Sequence, residues 1–134
     1  MEVVYIPEMT DEDCSTEVLG DELRHAFVRR FRQDDQVLVV NGKGLARKSI
    51  IRSVRKNVIQ LNLGEAIWMM NEPKSLITIV LGNLHDRDRI EWALEKSVEL
   101  GAMHFIVAQC ERSNRLNVSL SRLEKVALSS MKQS

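Results

Sequence analysis

The sequence predicts two folded units, a small β-rich unit followed by an α/β unit. In the first half, short β-branched runs alternate with turn residues, and four or five strands at this spacing indicate a small closed or nearly closed β-barrel. In the second half, two apolar runs enclose an amphipathic helix, which is the pattern of a βαβ unit. The two patterns meet at the polar, proline-containing residues 71–74, so we place the domain boundary between residues 72 and 73.

The β-rich unit is predicted to begin with a strand at residues 3–6. Pro7 ends this strand because proline cannot donate to a sheet ladder. Residues 11–16 are polar and are predicted to form a loop. A short helix follows, with Leu23, Phe27 and Val28 at the spacing of an apolar helix face.

A hairpin is predicted next in the β-rich unit. Residues 36–40 form a β-branched run, and Asn41-Gly42-Lys43-Gly44 provides the positive φ angles of a tight turn. A returning strand at residues 45–54 and a further strand at residues 58–63 complete a meander that ends at Gly64.

The α/β unit is predicted to open with a strand at residues 76–81, whose unbroken apolar character is typical of burial on both faces of a parallel sheet. Asp86 is the candidate N-cap of the next helix, and Gly101 is the candidate residue that ends it. A second strand at residues 105–109 and a last helix that begins near residue 119 or 121 follow. Trp92 and Met103 are predicted to be packing residues.

The second unit is expected to be incomplete. Two parallel strands with their helices cannot cover both faces and the open edges of a sheet. The last helical pattern also runs to Ser134 without a residue that would end it.

Composition and cysteine usage limit the class of protein. With 44% hydrophobic and 28% charged residues in 134, the chain has the material for folded cores. No apolar stretch approaches the roughly 20 residues that span a bilayer, and the first residues lack a signal-peptide pattern, so a cytoplasmic protein without a membrane partner is expected. Cys14 and Cys110 are far apart and outside any Cys/His cluster, which argues against disulfides and a metal site.

Charge is segregated along the chain although the net charge is zero. The first 22 residues carry eight acidic residues and no Lys or Arg, whereas residues 24–56 carry ten basic residues and two acidic ones. Because clustered Lys and Arg bind phosphates with release of counterions, the basic segment indicates an RNA-facing surface. The alternative, which charge alone favours equally, is a solvated surface whose cations pair with the acidic segment.

Several segments carry a family resemblance. Residues 88–101 (DRIEWALEKSVELG), Glu111-Arg112-Ser113 and residues 122–134 (RLEKVALSSMKQS) resemble the small-subunit ribosomal RNA uridine-N3 methyltransferases. The Met131-Lys132-Gln133-Ser134 ending is similar to Bacteroidetes-type members. Val28-Arg29-Arg30 and the Asn41-Gly42-Lys43-Gly44 turn are similar to the first domain of that family.

The resemblance implies a fold and an activity. It implies a PUA-like β-barrel in residues 1–72, and in residues 73–134 the first βαβα part of an α/β-knot (SPOUT) methyltransferase domain. It further implies methylation of uridine N3 in 16S ribosomal RNA with S-adenosylmethionine as cofactor, the small ribosomal subunit as partner and a homodimer as the complete protein. The glycine-rich stretch that forms the family's cofactor pocket has no counterpart in the sequence, so that pocket is expected beyond Ser134 and the 134 residues alone are expected to be inactive.

RNA contacts are expected from basic and amide side chains in both units. The candidates are Arg29, Arg30, Lys43, Arg47, Arg52, Arg112, Lys132 and Gln133. Arg112 follows the carboxyl end of a parallel strand, where open α/β sheets place ligand crevices; the alternative is a loop arginine without a ligand. Glu91, Glu95 and Glu99 recur every four residues and are interpreted as a solvated helix face rather than as a metal or catalytic site. No catalytic residue is assigned.

A second hypothesis is a stand-alone RNA-binding or dimerisation module without catalysis. It predicts a compact particle of 134 residues that resists proteases, whereas an incomplete enzyme domain exposes a sheet edge and tends to associate. Gel filtration with limited proteolysis distinguishes the two hypotheses.

Overall fold

The computed structural model describes residues 1–70, 73–113 and 118–133. The chain divides into two compact units, Met1–Glu72 and Pro73–Ser134. Their assignment to a PUA-like and a SPOUT domain stays a prediction. Among the described residues, no helix is long and apolar enough to cross a membrane.

The first unit is built on one five-stranded sheet with the strand order β1-β3-β4-β5-β2. Its elements are β1 (Glu2–Tyr5), β2 (Ser15–Val18), α1 (Gly20–Val28), β3 (Gln36–Val40), β4 (Leu45–Arg55) and β5 (Val58–Trp68). β1 pairs with β3 in parallel, and the other neighbouring strands are antiparallel. The long strand β4 is therefore central, and closure of the sheet into a barrel stays a prediction.

Strand β2 was not expected from the sequence, which suggested a loop over residues 11–16. Its residues are Ser-Thr-Glu-Val, and only Val18 is buried. Such a polar strand forms because β5 offers a long edge to pair with: Val18 lies opposite Ile59 and Ser15 lies opposite Asn62. The strand is thus determined by a partner more than forty residues away, which local periodicity does not report.

The core of the first unit lies on one face of this sheet. Val37, Val39, Ile51, Ile59 and Leu61 are at most 1% exposed. Each of these side chains contributes roughly 1.5–3 kcal/mol by leaving water. They alternate with exposed or half-buried neighbours along their strands, so the other face of the sheet points outward.

Helix α1 covers this core with a different face from the expected one. Ala26 is buried and Leu23 packs against the core, whereas Phe27 is 44% and Val28 75% exposed. The expectation for Phe27 and Val28 is therefore wrong. The apolar stripe runs from Leu23 through Ala26 to Phe31, which lies beyond the helix. Phe27 is one position after Ala26 and is therefore rotated about 100° around the helix from that stripe.

The Asn41-Gly42-Lys43-Gly44 turn forms as expected and is held by the asparagine side chain. Asn41 is buried; its Oδ1 accepts hydrogen bonds from the backbone N–H of Lys43 (2.8 Å) and Leu45 (3.2 Å), and its Nδ2 donates to the Met9 carbonyl (3.1 Å). Gly42 and Gly44 have positive φ angles of 70° and 86°. The turn thus also fixes the loop that follows β1.

Two irregularities interrupt the pairing of β4 with β5. Arg47 pairs with Ala66 and Ser49 with Leu63, so Lys48 lies opposite two residues of β5, one of which is Gly64. A Cβ on Gly64 would lie 2.0 Å from the Lys48 carbonyl oxygen, and only glycine allows this approach. The strand therefore continues past Gly64 to Trp68, beyond its expected end.

In the second irregularity of the β4–β5 pairing, β4 has one residue more than β5. Ile51 pairs with Leu61 and Ser53 with Gln60, so Arg52 has no partner on β5 and forms a bulge. Bulges change the direction of a side chain, and Arg52 is exposed.

The second unit contains β6 (Thr78–Gly82), α2 (Arg87–Glu99), β7 (His104–Ala108) and α3 (Leu120–Met131). The expected parallel βαβ pairing is confirmed, with Ile79 opposite Phe105. The Asp86 side chain accepts a hydrogen bond from the Asp88 N–H at 3.0 Å and caps α2 as expected. Gly101 follows α2 with a positive φ of 80°.

The expected burial of β6 on both faces is wrong for the described residues. Val80 is 64% exposed, and Ile106, its partner on β7, is also exposed. Only Ile79 and Leu81 point toward the covered face, where Ile90 of α2 is buried.

Two packing expectations in the second unit also fail. Trp92 and Met103 are both exposed. Trp92 lies two positions after the buried Ile90, about 200° around the helix from it, so it points away from the face that α2 packs on the sheet.

Candidate nucleic-acid interface

The structure separates the basic residues that the sequence grouped into one surface. Lys43 lies in the turn before β4, and Arg52 lies near the far end of that strand. Arg52 lies seven positions after Leu45, the first residue of β4, which corresponds to roughly 23 Å at about 3.3 Å per residue. Lys43 and Arg52 therefore lie at opposite ends of the sheet.

Arg47 is the clearest correction, because it is only 7% exposed and cannot be part of an outer surface. Its Nε donates to the Gly64 carbonyl at 2.7 Å. Its Nη1 donates to the carbonyls of Thr10, Asp11 and Asp13 at 3.1, 3.3 and 2.5 Å. The guanidinium group thus joins the acidic loop before β2 to the two central strands, and its role is to hold the fold together.

Asp13 strengthens this arrangement. Its carboxylate accepts a hydrogen bond from the Thr10 N–H at 2.8 Å. That hydrogen bond, together with the nearby Arg47 guanidinium, lowers the pKa of the Asp13 carboxyl below its usual value. The expected pairing of basic and acidic segments therefore occurs here through backbone carbonyls rather than through a surface ion pair.

Arg29, Arg30 and Arg52 lie toward the same end of the sheet. The loop after α1 returns to β4, where the Asp34 N–H donates to the Ile51 carbonyl at 2.8 Å and the Ile51 N–H donates to the Asp35 carbonyl at 3.0 Å. Arg29 forms an exposed ion pair with Glu2 at 3.1 Å. Arg30 has a positive φ of 57° and is exposed.

Lys48 is a further outward cation that the sequence reading did not select. Along β4, Lys48, Ile50 and Arg52 are exposed, and Ser49 and Ile51 between them are buried. The alternation of side chains along β4 could have identified Lys48. Arg47, Ser49 and Ile51 point to the same inward face, so Lys48 between them points outward.

Arg112 is exposed and follows the carboxyl end of β7, the position on which its expected role depends. Beside it, the Ser113 Oγ accepts hydrogen bonds from the Cys110 N–H (3.0 Å) and from Gln109 Nε2 (2.7 Å). The Asn83 N–H donates to the Ala108 carbonyl at 2.8 Å, which joins the loop after β6 to the end of β7. Arg115, the next arginine along the sequence, lies outside the described residues.

Lys132 and Gln133 follow the last helix. Lys132 caps α3, and its N–H donates to the Leu128 carbonyl at 3.2 Å. The Gln133 N–H donates to the Ser130 carbonyl at 3.0 Å, and its side chain is exposed. The RNA contacts expected of Lys132 and Gln133 stay a prediction.

The three regularly spaced glutamates of α2, Glu91, Glu95 and Glu99, all form ion pairs. Glu91 accepts two hydrogen bonds from Arg122 of α3, one from Nε and one from Nη2 at 2.9 Å. The Arg122 hydrogen bond lowers the pKa of the Glu91 carboxyl, and Glu91 in turn raises the pKa of Arg122. Lys96 contacts Glu95 and Glu99 at 2.9 Å each.

Comparison with known proteins relates both units to RNA methyltransferases. Residues 71–134 match a family model described as an RNA methyltransferase domain. Over 115 residues, the chain is 29% identical to ribosomal RNA small subunit methyltransferase E of Bacillus subtilis, a match that covers 81% of this chain and 44% of the relative.

Two solved structures are similar over 99% of this chain. One is ribosomal RNA small subunit methyltransferase E from Neisseria gonorrhoeae bound to S-adenosyl methionine, with 25% identity, a TM-score of 0.85 and 56% of that chain covered. The other is a probable rRNA methyltransferase from Porphyromonas gingivalis, with 27% identity, a TM-score of 0.84 and 55% covered. The chain thus spans about half the length of the relatives that it matches. The chain is thus similar to ribosomal RNA small subunit methyltransferase E in both of its units.

Proposed function

We propose that this protein methylates N3 of a uridine in 16S ribosomal RNA with S-adenosylmethionine. The observation that carries the proposal is the match of residues 71–134 to the RNA methyltransferase domain model. A similar structure bound to S-adenosyl methionine supports the choice of methyl donor. The residues of this chain contribute the RNA-binding unit and the first part of the methyltransferase domain.

The chain's own residues serve to hold RNA. Methylation at N3 requires removal of a weakly acidic ring proton and a base that is held out of its stack. The exposed Arg29, Arg30, Lys43, Arg52 and Arg112 supply positive charge for phosphates on both units. Arg47 is not in this group because its guanidinium is bound inside the first unit.

The cavity between the starts of α2 and α3 has no net charge that would favour the sulfonium of the cofactor. This cavity has a volume of about 310 Å³ and is lined by Arg87, Glu91 and Arg122 among others. Its two guanidinium groups, Arg87 and Arg122, are balanced by the carboxylates of Asp88 and Glu91, and Glu91 is already bound to Arg122. The glycine-rich stretch that the resemblance assigns to the cofactor pocket has no counterpart in residues 1–134, so we propose that these residues by themselves do not bind the cofactor tightly.

Calorimetry tests this division of roles. The 134-residue chain is titrated separately with S-adenosylmethionine and with a fragment of 16S ribosomal RNA. We expect RNA binding that weakens steeply with salt and no tight cofactor binding. Tight binding of S-adenosylmethionine would show that the pocket lies within these residues, and absence of RNA binding would contradict the proposed function.

The small ribosomal subunit as partner, a homodimeric complete protein and a cytoplasmic location are part of the same proposal. Sedimentation of the complete protein, alone and with small subunits, tests the first two. A monomer that does not sediment with the subunit would contradict both.

A further inference from the structure

The outward face of the central strand β4 carries basic side chains that form no ion pairs with the described residues. Lys48 and Arg52 are exposed, and neither has an ion-pair partner within 4 Å among the residues that the structure describes. They lie four positions apart on one strand, or roughly 13 Å. Arg55 extends the same line of positive charge toward the turn after β4.

Between these cations lies a row of exposed side chains that runs across four strands. Gln36 of β3 lies opposite Ile50, Ile50 lies opposite Asn62 of β5, and Asn62 lies opposite Ser15 of β2. All four are exposed. The apolar side chain of Ile50 thus lies between the amides of Gln36 and Asn62. Each amide is on a neighbouring strand, about 4.8 Å away.

We infer that this face, formed by Gln36, Lys48, Ile50, Arg52 and Asn62, binds an unpaired RNA strand. Lys48 and Arg52 contact phosphates, Ile50 contacts the flat side of a base, and the amides of Gln36 and Asn62 bind base edges. An amide both donates and accepts hydrogen bonds, as base edges require. This inference rests on the proposed function and adds the surface and the type of RNA.

The choice of an unpaired strand follows from the geometry of the face. In a paired A-form helix the Watson–Crick edges are used in pairing and the major-groove edges lie in a deep, narrow groove, whereas single strands expose both. A flat row of amides flanked by cations can reach only exposed edges. The described acids near this face are Glu17 of β2, opposite Gln60, Glu65 of β5, beside Lys48, and Asp34 and Asp35, which lead into β3. Lys48, Arg52 and Arg55 attract phosphates there, and these acids oppose that attraction.

The test compares matched variants by fluorescence anisotropy. The unmodified chain is measured with a single-stranded RNA of about ten nucleotides and with a duplex of the same sequence. In the double variant Lys48→Gln/Arg52→Gln, we expect at least tenfold weaker binding of the single strand. The slope of log affinity against log salt should become shallower by about 1.4, for two lost phosphate contacts at about 0.7 each.

Two further variants separate charge from base recognition. Asn62→Leu should weaken single-strand binding severalfold without changing the salt slope, because it removes a hydrogen-bonding group and no charge. The control Arg24→Gln/Arg89→Gln removes two exposed cations that are already paired with Asp21 and Asp86 on their own helices, and it should have a small effect. Thermal melting monitored by circular dichroism verifies that each variant is folded.

The outcomes are distinct. If the unmodified chain binds single-stranded RNA and both double variants weaken it equally, the face is not the binding surface, although the proposed function stands. Equal binding of duplex and single strand overturns the choice of an unpaired strand. If the chain binds neither RNA, the proposed function fails together with the inference.

A measurement on the unmodified chain does not depend on the folding of variants. RNA that contains 4-thiouridine is cross-linked to the protein, and the attached peptide is mapped. Cross-links in the segments that contain Gln36 or residues 48–62 are expected. Cross-links confined to other segments would overturn the inference.

Discussion

Arg47 and Arg52 show how little the chemical type of a residue says about its role. Both belong to β4, and the first is buried while the second is exposed on a bulge. The guanidinium of Arg47 donates to four backbone carbonyls. Without it, those carbonyls would lose a charged donor, which costs more than loss of a neutral one.

Replacement of Arg47 therefore tests its structural role. We expect Arg47→Met to lower the free energy of unfolding by about 3 kcal/mol, because four partly buried backbone carbonyls lose their charged hydrogen-bond donor. The matched variant Arg52→Met, on the same strand but exposed, should change it by less than about 0.5 kcal/mol. Urea denaturation measures both, and similar values for the two variants would contradict the role assigned to Arg47.

At the scale of elements, α2 and α3 are connected by one ion pair between Glu91 and Arg122. The two helices belong to a unit whose described sheet has only two strands, so contacts between helices matter more than in a larger domain. The pKa of Glu91 is lowered by Arg122. Its stabilising effect is therefore fully present above the usual carboxyl pKa and is lost as the pH falls through the lowered value.

This linkage predicts a pH-dependent difference between two proteins. At neutral pH, Glu91→Gln should have a lower Tm than the unmodified chain, and the difference should shrink as the pH is lowered from about 6 to about 3. Melting curves over this range measure it. Glu124→Gln is the control, since Glu124 is exposed and makes no ion pair within the described part of the chain. A difference between Glu91→Gln and the unmodified chain that does not vary with pH would argue against the ion pair.

For the whole molecule, the segregation of charge matters more than its sum. The net charge is zero, so long-range attraction to RNA is weaker than the ten basic residues of segment 24–56 alone would give. The acids of the first 22 residues oppose that attraction. Glu8, Asp11 and Glu12 are exposed members of this group.

Neutralising these acids should strengthen RNA binding. The triple variant Glu8→Gln/Asp11→Asn/Glu12→Gln raises the net charge from 0 to +3, and we expect severalfold tighter RNA binding at low salt. The gain should disappear near 1 M salt, where the Debye length is about 3 Å. Anisotropy titrations at both salt concentrations measure the effect. A gain that persists at high salt would indicate a change in the binding surface itself.

Local sequence patterns were sufficient to predict the elements that are determined by residues close together in the chain. It predicted β3 at its observed bounds, the Asn41-Gly42 turn, the Asp86 cap and the parallel pair β6 and β7. These features follow from side-chain alternation, from positive φ angles and from capping, each of which acts within a few residues. The family resemblance was also carried by short segments of sequence.

The tertiary structure alone decided which side chains meet. It placed Arg47 inside the fold, paired the polar β2 with β5 and set Arg52 on a bulge. It also separated Lys43 from Arg52 at opposite ends of the sheet. The physical reason is that burial and pairing depend on partners that are distant in the chain, whereas charge and periodicity are read one segment at a time.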